Sequence, residues 1–432
     1  MKYKLIILLS LLCPVVFGQN YTSYFTGNTT NIETNPIGGI CMMGGASEHN
    51  EAMRWFLERA NGGDILVLRT SGSNGYNDYM FSELGITVNS VETIVFNNAT
   101  ASNESYIHQK IQQAEAIWFA GGNQWNYINY WRNTQIQTLI NEAIQDRNIT
   151  IGGTSAGMAI LGGYYFSAQN GTVTSATALA NPYNSSVTVD NSPFLENDIL
   201  SDVITDTHYD DPNRKGRHVV FLARVLVDTD VTIKGIACNE YTAVCIDENN
   251  IASVYGDYPA YEESAFFLQT NCELTDFNPE NCTENNPLVW NLNGTAISVC
   301  KVNGTNNGEN TFDLNDWKTT SGGIWQNWYV DDGILIENKG AEINCSSLLI
   351  NDDELKNLVA VFPNPFINEV TIKSEEKILE LTLFDLNGNL VGVKSNLNEF
   401  SNSINTNLLI SGIYFIKIQT INNVLFVKIL KK

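Results

Sequence analysis

The stretch IGGTSAGMAILGG, residues 151–163, sets Ser155 between Gly153 and Gly157 at G-x-S-x-G spacing. In a chain with 32 glycines that spacing alone decides nothing, so its flanks must carry the reading. Upstream, NITIGG reads as a short apolar strand. Downstream, AGMAIL reads as the start of a helix. A serine on a tight strand-to-helix turn presents its hydroxyl at the end of a sheet, and a helix N-terminus favours negative charge developing beside it. The competing reading is a glycine-rich turn in which Ser155 merely caps a helix.

Working outward, the apolar runs IGGICMMGG, DILVLRT, VETIVF and AIWFAGGNQ alternate with helical patterns. These are SEHNEAMRWFLERA, with a serine at its cap and apolar spacing at Met53, Phe56 and Leu57, then NESYIHQKIQQA and NTQIQTLINEAIQDRN. Continuous apolar strands separated by helices predict an α/β fold, a largely parallel sheet flanked by helices, with its ligand crevice at the strands' carboxyl ends. Ser155 lies at such an end. Negative charge developing on a carbonyl attacked there would meet the backbone N–H of Ala156, with a second donor from the Gly121–Gly122 pair that closes a neighbouring strand.

A nucleophilic serine needs a base, and the chain has four histidines. His108 lies in a polar helix and reads as surface. His49 falls where the first helix starts, within reach of the crevice, and His218 follows RKGR and faces along a helix. His208 follows an apolar run, again at the end of a strand, and is the base by elimination. A third group must orient the imidazole. Asp206, Asp210 and Asp211 are close in sequence, but such neighbours rarely aim at the same ring. In IKGIACNEYTAVCID two apolar strands hinge at Asn239–Glu240, and Glu240 is the preferred orienting acid over those aspartates.

The two ends differ from this middle. MKYKLIILLSLLCPVVFGQN reads as a secretory leader over residues 1–18, too short and too quickly polar to anchor in a membrane. Leu12 before Cys13 is wrong for lipidation. The remaining cysteines sit in an exported chain where disulfides are allowed. Cys272 and Cys282, flanking NCELTDFNPENC, are expected to pair, with Cys300–Cys345 a weaker expectation; Cys41 and Cys238 lie in apolar strands as buried thiols. No cysteine spacing suggests zinc, and the chemistry requires no cofactor. With 24 basic against 47 acidic residues and a net charge of −23, the chain is unsuited to nucleic acid and tolerant of a cationic substrate. From residue 358 short alternating strands punctuated by FPNPF and LFDLNGNLV, then SGIYFIKI and a lysine finish, read as a small C-terminal β-sandwich. Those pieces resemble the sorting domain of the type IX secretion system. The resemblance implies an outer-membrane bacterium, engagement with that secretion machinery, and a secreted or cell-surface product.

Four motifs of the middle region, WFAGGNQ, GGTSAGMA, DTHYDDPNRKGR and GIACNEYTAV, resemble in order and spacing the cyanophycinase and aspartyl dipeptidase family of serine peptidases. The resemblance runs from about Gly38 to near Leu314. It implies a class I glutamine-amidotransferase-like, flavodoxin-like fold and a Ser-His-Glu triad of Ser155, His208 and Glu240. It further implies substrate recognition by Gln124, Asp206, Arg214 and Arg217, although helix-surface salt bridging is an equal reading of the two arginines. Thr207 and Pro212 depart from the cyanophycinase pattern, so a peptidase acting beside aspartyl residues is better supported than the specific polymer. The expected organisation is a leader at 1–18, a peptidase domain at 19–345, a linker at 346–357 and a sorting domain at 358–432. Expected partners are a peptide or cyanophycin-like polymer and the secretion machinery, with no membrane-integral segment after leader removal; a homodimer is left open. Two rivals share the motif. An esterase of the α/β-hydrolase kind needs a histidine after its acid, and no histidine follows His218. A non-catalytic binding protein on the same scaffold has no need of all three triad residues. A glutaminase-type amidotransferase would want cysteine at position 155.

Overall fold

The computed structural model describes residues 19–274, 276–342, 359–385, 390–407, 409–421 and 424–432. The segments read above as a leader (1–18) and a linker (346–357), and Cys345, lie outside the described residues. The chain divides into two compact units, residues 1–343 and 344–432.

In the first unit, the apolar runs become strands β1 (Tyr21–Gly27), β2 (Gly39–Met43), β3 (Asp64–Arg69), β4 (Ser90–Phe96), β5 (Ala116–Phe119) and β6 (Thr150–Thr154). Strands β4, β3, β5, β6 and β2 pair in that order, all parallel. Every residue of β4, β5 and β6 is buried, which requires cover on both faces. Alternation along the strands supplies it. Ile40, Met42, Leu66 and Ile117 pack with Ile107, Leu139 and Ile140 of the helices Ser105–Gln113 and Gln135–Gln145. Their neighbours Cys41, Met43, Ile65 and Trp118 pack with Met53, Phe56 and Leu57 of the helix Asn50–Glu58. The α/β class with a parallel core is therefore present.

Several elements differ from the sequence reading. β1 adds an antiparallel edge to β4. The strand Ala243–Ile246 joins β2 antiparallel, extending the sheet through Ile251–Tyr255 and Asn310–Asp313. A second six-stranded sheet, only in part parallel, runs from Val203–Asp206 through Lys234–Cys238, Ser264–Thr270 and Ile297–Asn303 to Gly323–Asp331 and Ile334–Lys339. The two strands hinged at Asn239–Glu240 thus belong to different sheets. The helix expected after Ser155 is only a 3₁₀ turn, Met158–Ile160. The chain there turns at Gly162–Gly163 tightly against the segment entering Val203–Asp206, where a Cβ would lie 2.4 Å from Val203 O and 2.3 Å from Ser201 O. The helix Asn50–Glu58 starts at His49 without a side-chain cap, not at a serine. The run after Gly122 forms a helix, Gln124–Trp131, capped by Asn123.

The cysteine pairing is corrected. Cys272 is disulfide-bonded, but Cys282 and Cys300 are both free and buried, so neither Cys272–Cys282 nor Cys300–Cys345 forms. Cys282 packs in the apolar cluster around the helix Lys215–Thr229 and does not face across its own loop. Cys41 and Cys238 are buried free thiols, as expected.

The C-terminal unit is built on one long strand, Glu369–Asp385, paired antiparallel near its start with Val359–Phe362 and Glu399–Asn405 and near its end with Leu390–Lys394 and Gly412–Thr420. Val370, Ile372, Leu381, Ile416 and Ile418 fill the space between as a small sandwich core. Among the described residues no helix is long and apolar enough to cross a membrane.

Candidate active site

Ser155 follows β6 with φ +51°, in the left-handed region that costs a non-glycine residue energy. The two flanking glycines are needed because the turn is crowded. A Cβ at Gly153 would lie 2.5 Å from the Gly157 carbonyl carbon, and one at Gly157 would lie 1.9 Å from Phe119 O of β5. The serine is therefore held in a conformation its own preferences disfavour, by backbone packing that only glycine permits.

The other two residues arrive from elsewhere. His208 lies just beyond Val203–Asp206 of the second sheet, also left-handed at φ +47°. Glu240 sits in the link between Lys234–Cys238 of the second sheet and Ala243–Ile246 of the first. The three meet as an unbroken chain of hydrogen bonds. His208 Nε2 lies 2.8 Å from Ser155 Oγ, and His208 Nδ1 lies 2.5 Å from Glu240 Oε1. With Nδ1–H donating to the carboxylate, Nε2 is free to accept the serine hydroxyl. The His208 and Glu240 side chains are 22% and 24% exposed, open enough for a substrate to reach.

The end of β2 organises this meeting, a role the sequence reading did not give it. Met43 O accepts from Ser155 N–H at 3.1 Å, Gly44 O from His208 N–H at 2.8 Å, and Gly45 O from Tyr241 N–H at 3.1 Å. A Cβ on Gly44 would lie 1.9 Å from Asn239 O, and one on Gly45 would lie 2.3 Å from the His208 ring. The sequence signal was the glycine pair itself, but nothing local says what must approach it.

Gly121 lies beside the serine, since a Cβ there would fall 3.6 Å from the Ser155 Cβ. Among the described residues, the N–H groups of Ala156, Gly121 and Gly122 have no hydrogen-bond partner, whereas those of Ser155 and Gly157 are engaged by Met43 O and Thr154 O. Gln124 is half-buried at its helix start, its Nε2 donating to Phe166 O at 3.3 Å.

The remaining recognition residues separate. Asp206 and Arg217 are each 3% exposed and face one another, Arg217 Nε donating to Asp206 Oδ2 at 2.9 Å and Nη2 to Oδ1. Arg217 Nη1 donates to Thr172 Oγ1 and Val173 O. Burial pushes the Asp206 carboxyl up, but the Arg217 charge and hydrogen bonds override it and hold the group below its ordinary value. Arg217 is thus turned into the core and not toward a substrate, which corrects its expected role; an arginine followed by an apolar helix face is legible as either. Arg214 is half-buried, donates through Nη1 to Thr207 O, and lies close enough to Glu240 to feel its charge. Burial, and then the Arg217 charge, pull its guanidinium down.

Past Tyr241 opens a cavity of about 560 Å³ lined by Glu48, His49, Glu51, Asp257 and Glu263. Burial lowers the His49 pKa against the pull of Asp257, and its Nδ1 has no partner among the described residues. A smaller cavity lined by Asp64, Ser90, Glu92 and Lys110 opens at the start of β3 and β4, the end of the sheet away from Ser155. His218 is fully buried in the core and His108 bonds Ser102 O, so neither meets the serine. Among the described residues no cluster of histidine, cysteine and carboxylate side chains is arranged to hold a metal.

Comparison with known proteins gives this geometry a context. Residues 76–254 match Peptidase family S51, and residues 360–432 match the secretion system C-terminal sorting domain. The chain is 22% identical over 264 residues to cyanophycinases of Trichormus variabilis and of a Nostoc species, spanning 59% of this chain and 80% of each relative. A solved peptidase from an acI-B1 Actinobacterium is 15% identical with a TM-score of 0.38, covering 52% of this chain and 89% of that one.

Proposed function

Residues 76–254 match peptidase family S51 and residues 360–432 match a secretion system sorting domain, and from these matches we propose that this secreted serine-type peptidase cleaves peptide or isopeptide bonds beside aspartyl residues through Ser155, His208 and Glu240. The observation that carries the reading is the hydrogen-bonded series Ser155 Oγ, His208 Nε2, His208 Nδ1 and Glu240 Oε1 at 2.8 and 2.5 Å. His208 takes the Ser155 proton as Oγ attacks the scissile carbonyl. The oxyanion is held by the partnerless N–H groups of Ala156 and of Gly121 or Gly122. The tetrahedral adduct collapses to an acyl-enzyme as His208 returns the proton to the departing amine. Water, deprotonated by His208, then attacks the ester and frees Ser155. Glu240 holds the imidazole and offsets its positive charge during both halves.

For recognition, Arg214 is the cation that remains available to a substrate carboxylate, with Gln124 at the crevice edge. The cyanophycinase relatives and the acidic cavity beside Tyr241 both favour a substrate that also carries a cationic side chain, releasing β-Asp-Arg-type dipeptides. Export uses a leader at 1–18 removed before the mature enzyme acts, with the sorting domain at 358–432 engaging the secretion machinery. The test is dipeptide release from cyanophycin by the purified protein, with Ser155→Ala as control. Release that depends on Ser155 supports mechanism and substrate together. Labelling of Ser155 by a fluorophosphonate without release keeps the mechanism and rejects the substrate; neither labelling nor release rejects both.

A further inference from the structure

The DDPN segment at 210–213 directly follows His208 and Tyr209. Its backbone closes on itself. Asp210 and Asn213 form an antiparallel bridge, and Arg214 N–H donates to Tyr209 O at 3.1 Å. This tight loop turns the Asp210 carboxylate toward the acid of the triad, and Asp210 Oδ1 accepts the Glu240 backbone N–H at 2.9 Å.

Thr242 ties the turn from within, its Oγ1 donating to Glu240 O at 3.2 Å and its N–H to Asn239 O at 3.3 Å, whereas the Glu240 N–H is tied to another segment only through Asp210. On one side, Asn239 donates its N–H to Ser264 O and its amide to Glu262 O. On the other, Tyr241 donates to Gly45 O. Tyr241 itself is left-handed at φ +60°, which a tyrosine resists. A turn under such strain relaxes unless it is held, and relaxation would swing the Glu240 carboxylate away from His208 Nδ1. We propose that Asp210 is a positioning residue. The loop that carries the base at 208 also clamps the backbone of the acid at 240, so the two move as one piece. The inference rests on the peptidase reading above.

The test uses the full chain with Asp210→Ala and Asp210→Asn. The readout is the rate of fluorophosphonate labelling at Ser155 as a function of probe concentration, which separates probe binding from the acylation step. Loss of one hydrogen bond to a charged acceptor is worth about tenfold. Asp210→Ala is therefore expected to slow acylation about tenfold with half-saturation unchanged within about twofold. Asp210→Asn keeps an oxygen acceptor and is expected to restore the rate to within about twofold of wild type. Wild-type acylation in Asp210→Ala overturns the proposal, and so does Asp210→Asn as slow as alanine. Absence of labelling in the unmodified protein, with Ser155→Ala as blank, overturns the peptidase reading and this one with it.

Discussion

Two polar groups leave the end of the same strand, Val203–Asp206, and they are built in opposite ways. Asp206 meets Arg217 with both side chains 3% exposed, and Arg217 carries further bonds to Thr172 and Val173. Two residues on, His208 meets Ser155 and Glu240 with roughly a quarter of its acid and base exposed and with partnerless N–H groups beside them. The first is a satisfied polar group that fixes where the strand ends and the helix Lys215–Thr229 begins. The second is preorganised and incomplete, as the proposed acceptance of a developing oxyanion requires. Both are acid–base pairs in sequence; only partner supply and exposure tell them apart.

Substitution should break the comparison cleanly. Ser155→Ala is expected to reduce hydrolysis by at least about 10³-fold, because triad members act as a unit, while the melting temperature stays at its wild-type value. A variant that still turns over ends the triad assignment. Arg217→Ala should do the reverse. It leaves Asp206 charged and unpaired in the core, costing about 3–5 kcal/mol of stability, read as a lower denaturant midpoint. If Arg217→Ala melts like wild type and loses only substrate affinity, the buried pair is not structural and the arginine belongs to the crevice after all.

Gly45→Ala sharpens the contrast from the side of the scaffold. Its φ is +123° and the added Cβ would lie 2.3 Å from the His208 ring, so the imidazole must shift by a good part of an ångström. A loss of about 10²-fold in turnover is expected from misplacement of that size. Activity within a few-fold of wild type would mean that the ring has room the packing denies it.

The parallel core was legible because each of its strands is a continuous apolar run between helices, and the placement of Ser155, His208 and Glu240 at strand ends and links was legible because each closes or links such a run. What failed were relations between distant segments. That Lys234–Cys238 and Ala243–Ile246 join different sheets is settled by their partners, Val203–Asp206 and β2, and no local pattern records it. The importance of Gly44 and Gly45 lies in what approaches them, Asn239 and His208, which are 195 and 163 positions away. Cys272 and Cys282 looked like partners because only nine residues separate them, yet Cys282 is drawn into an apolar cluster. The helix expected after Ser155 shrank to one turn, so in the proposed mechanism the oxyanion would be met by individual N–H groups rather than by a helix end.

The smallest expected effect lies in the satisfied group. His218 is fully buried beside the Asp206–Arg217 pair, with Nδ1 accepting from the Tyr209 hydroxyl and Nε2 donating to Ile204 O, both at 3.2 Å. Burial pushes its pKa down to about 4 from 6.5. A depressed histidine stays neutral in the folded state while the unfolded chain takes up a proton, so its contribution is complete above pH 6.5 and is lost as pH falls toward 4. From pH 8 to pH 5.5 that loss is about 1–2 kcal/mol. Glu115 works against it in the same window. Burial raises its carboxyl to about 7, so the folded state binds a proton first and gains stability as pH falls through 7. A wild-type stability curve therefore mixes two terms of opposite sign, while Asp206, held below 3.8, is lost only at more acid pH. The difference between variants isolates the histidine. His218→Gln keeps a donor for Ile204 O and removes the titration, so it should become more stable relative to wild type by about 1–2 kcal/mol between pH 8 and pH 5.5, whatever its penalty at pH 8. A pH-independent difference would mean that His218 titrates in the folded chain as it does in the unfolded one, and a variant that loses stability relative to wild type as pH falls would mean that the folded chain holds the imidazole protonated, so that the buried group beside the candidate site is charged rather than merely polar.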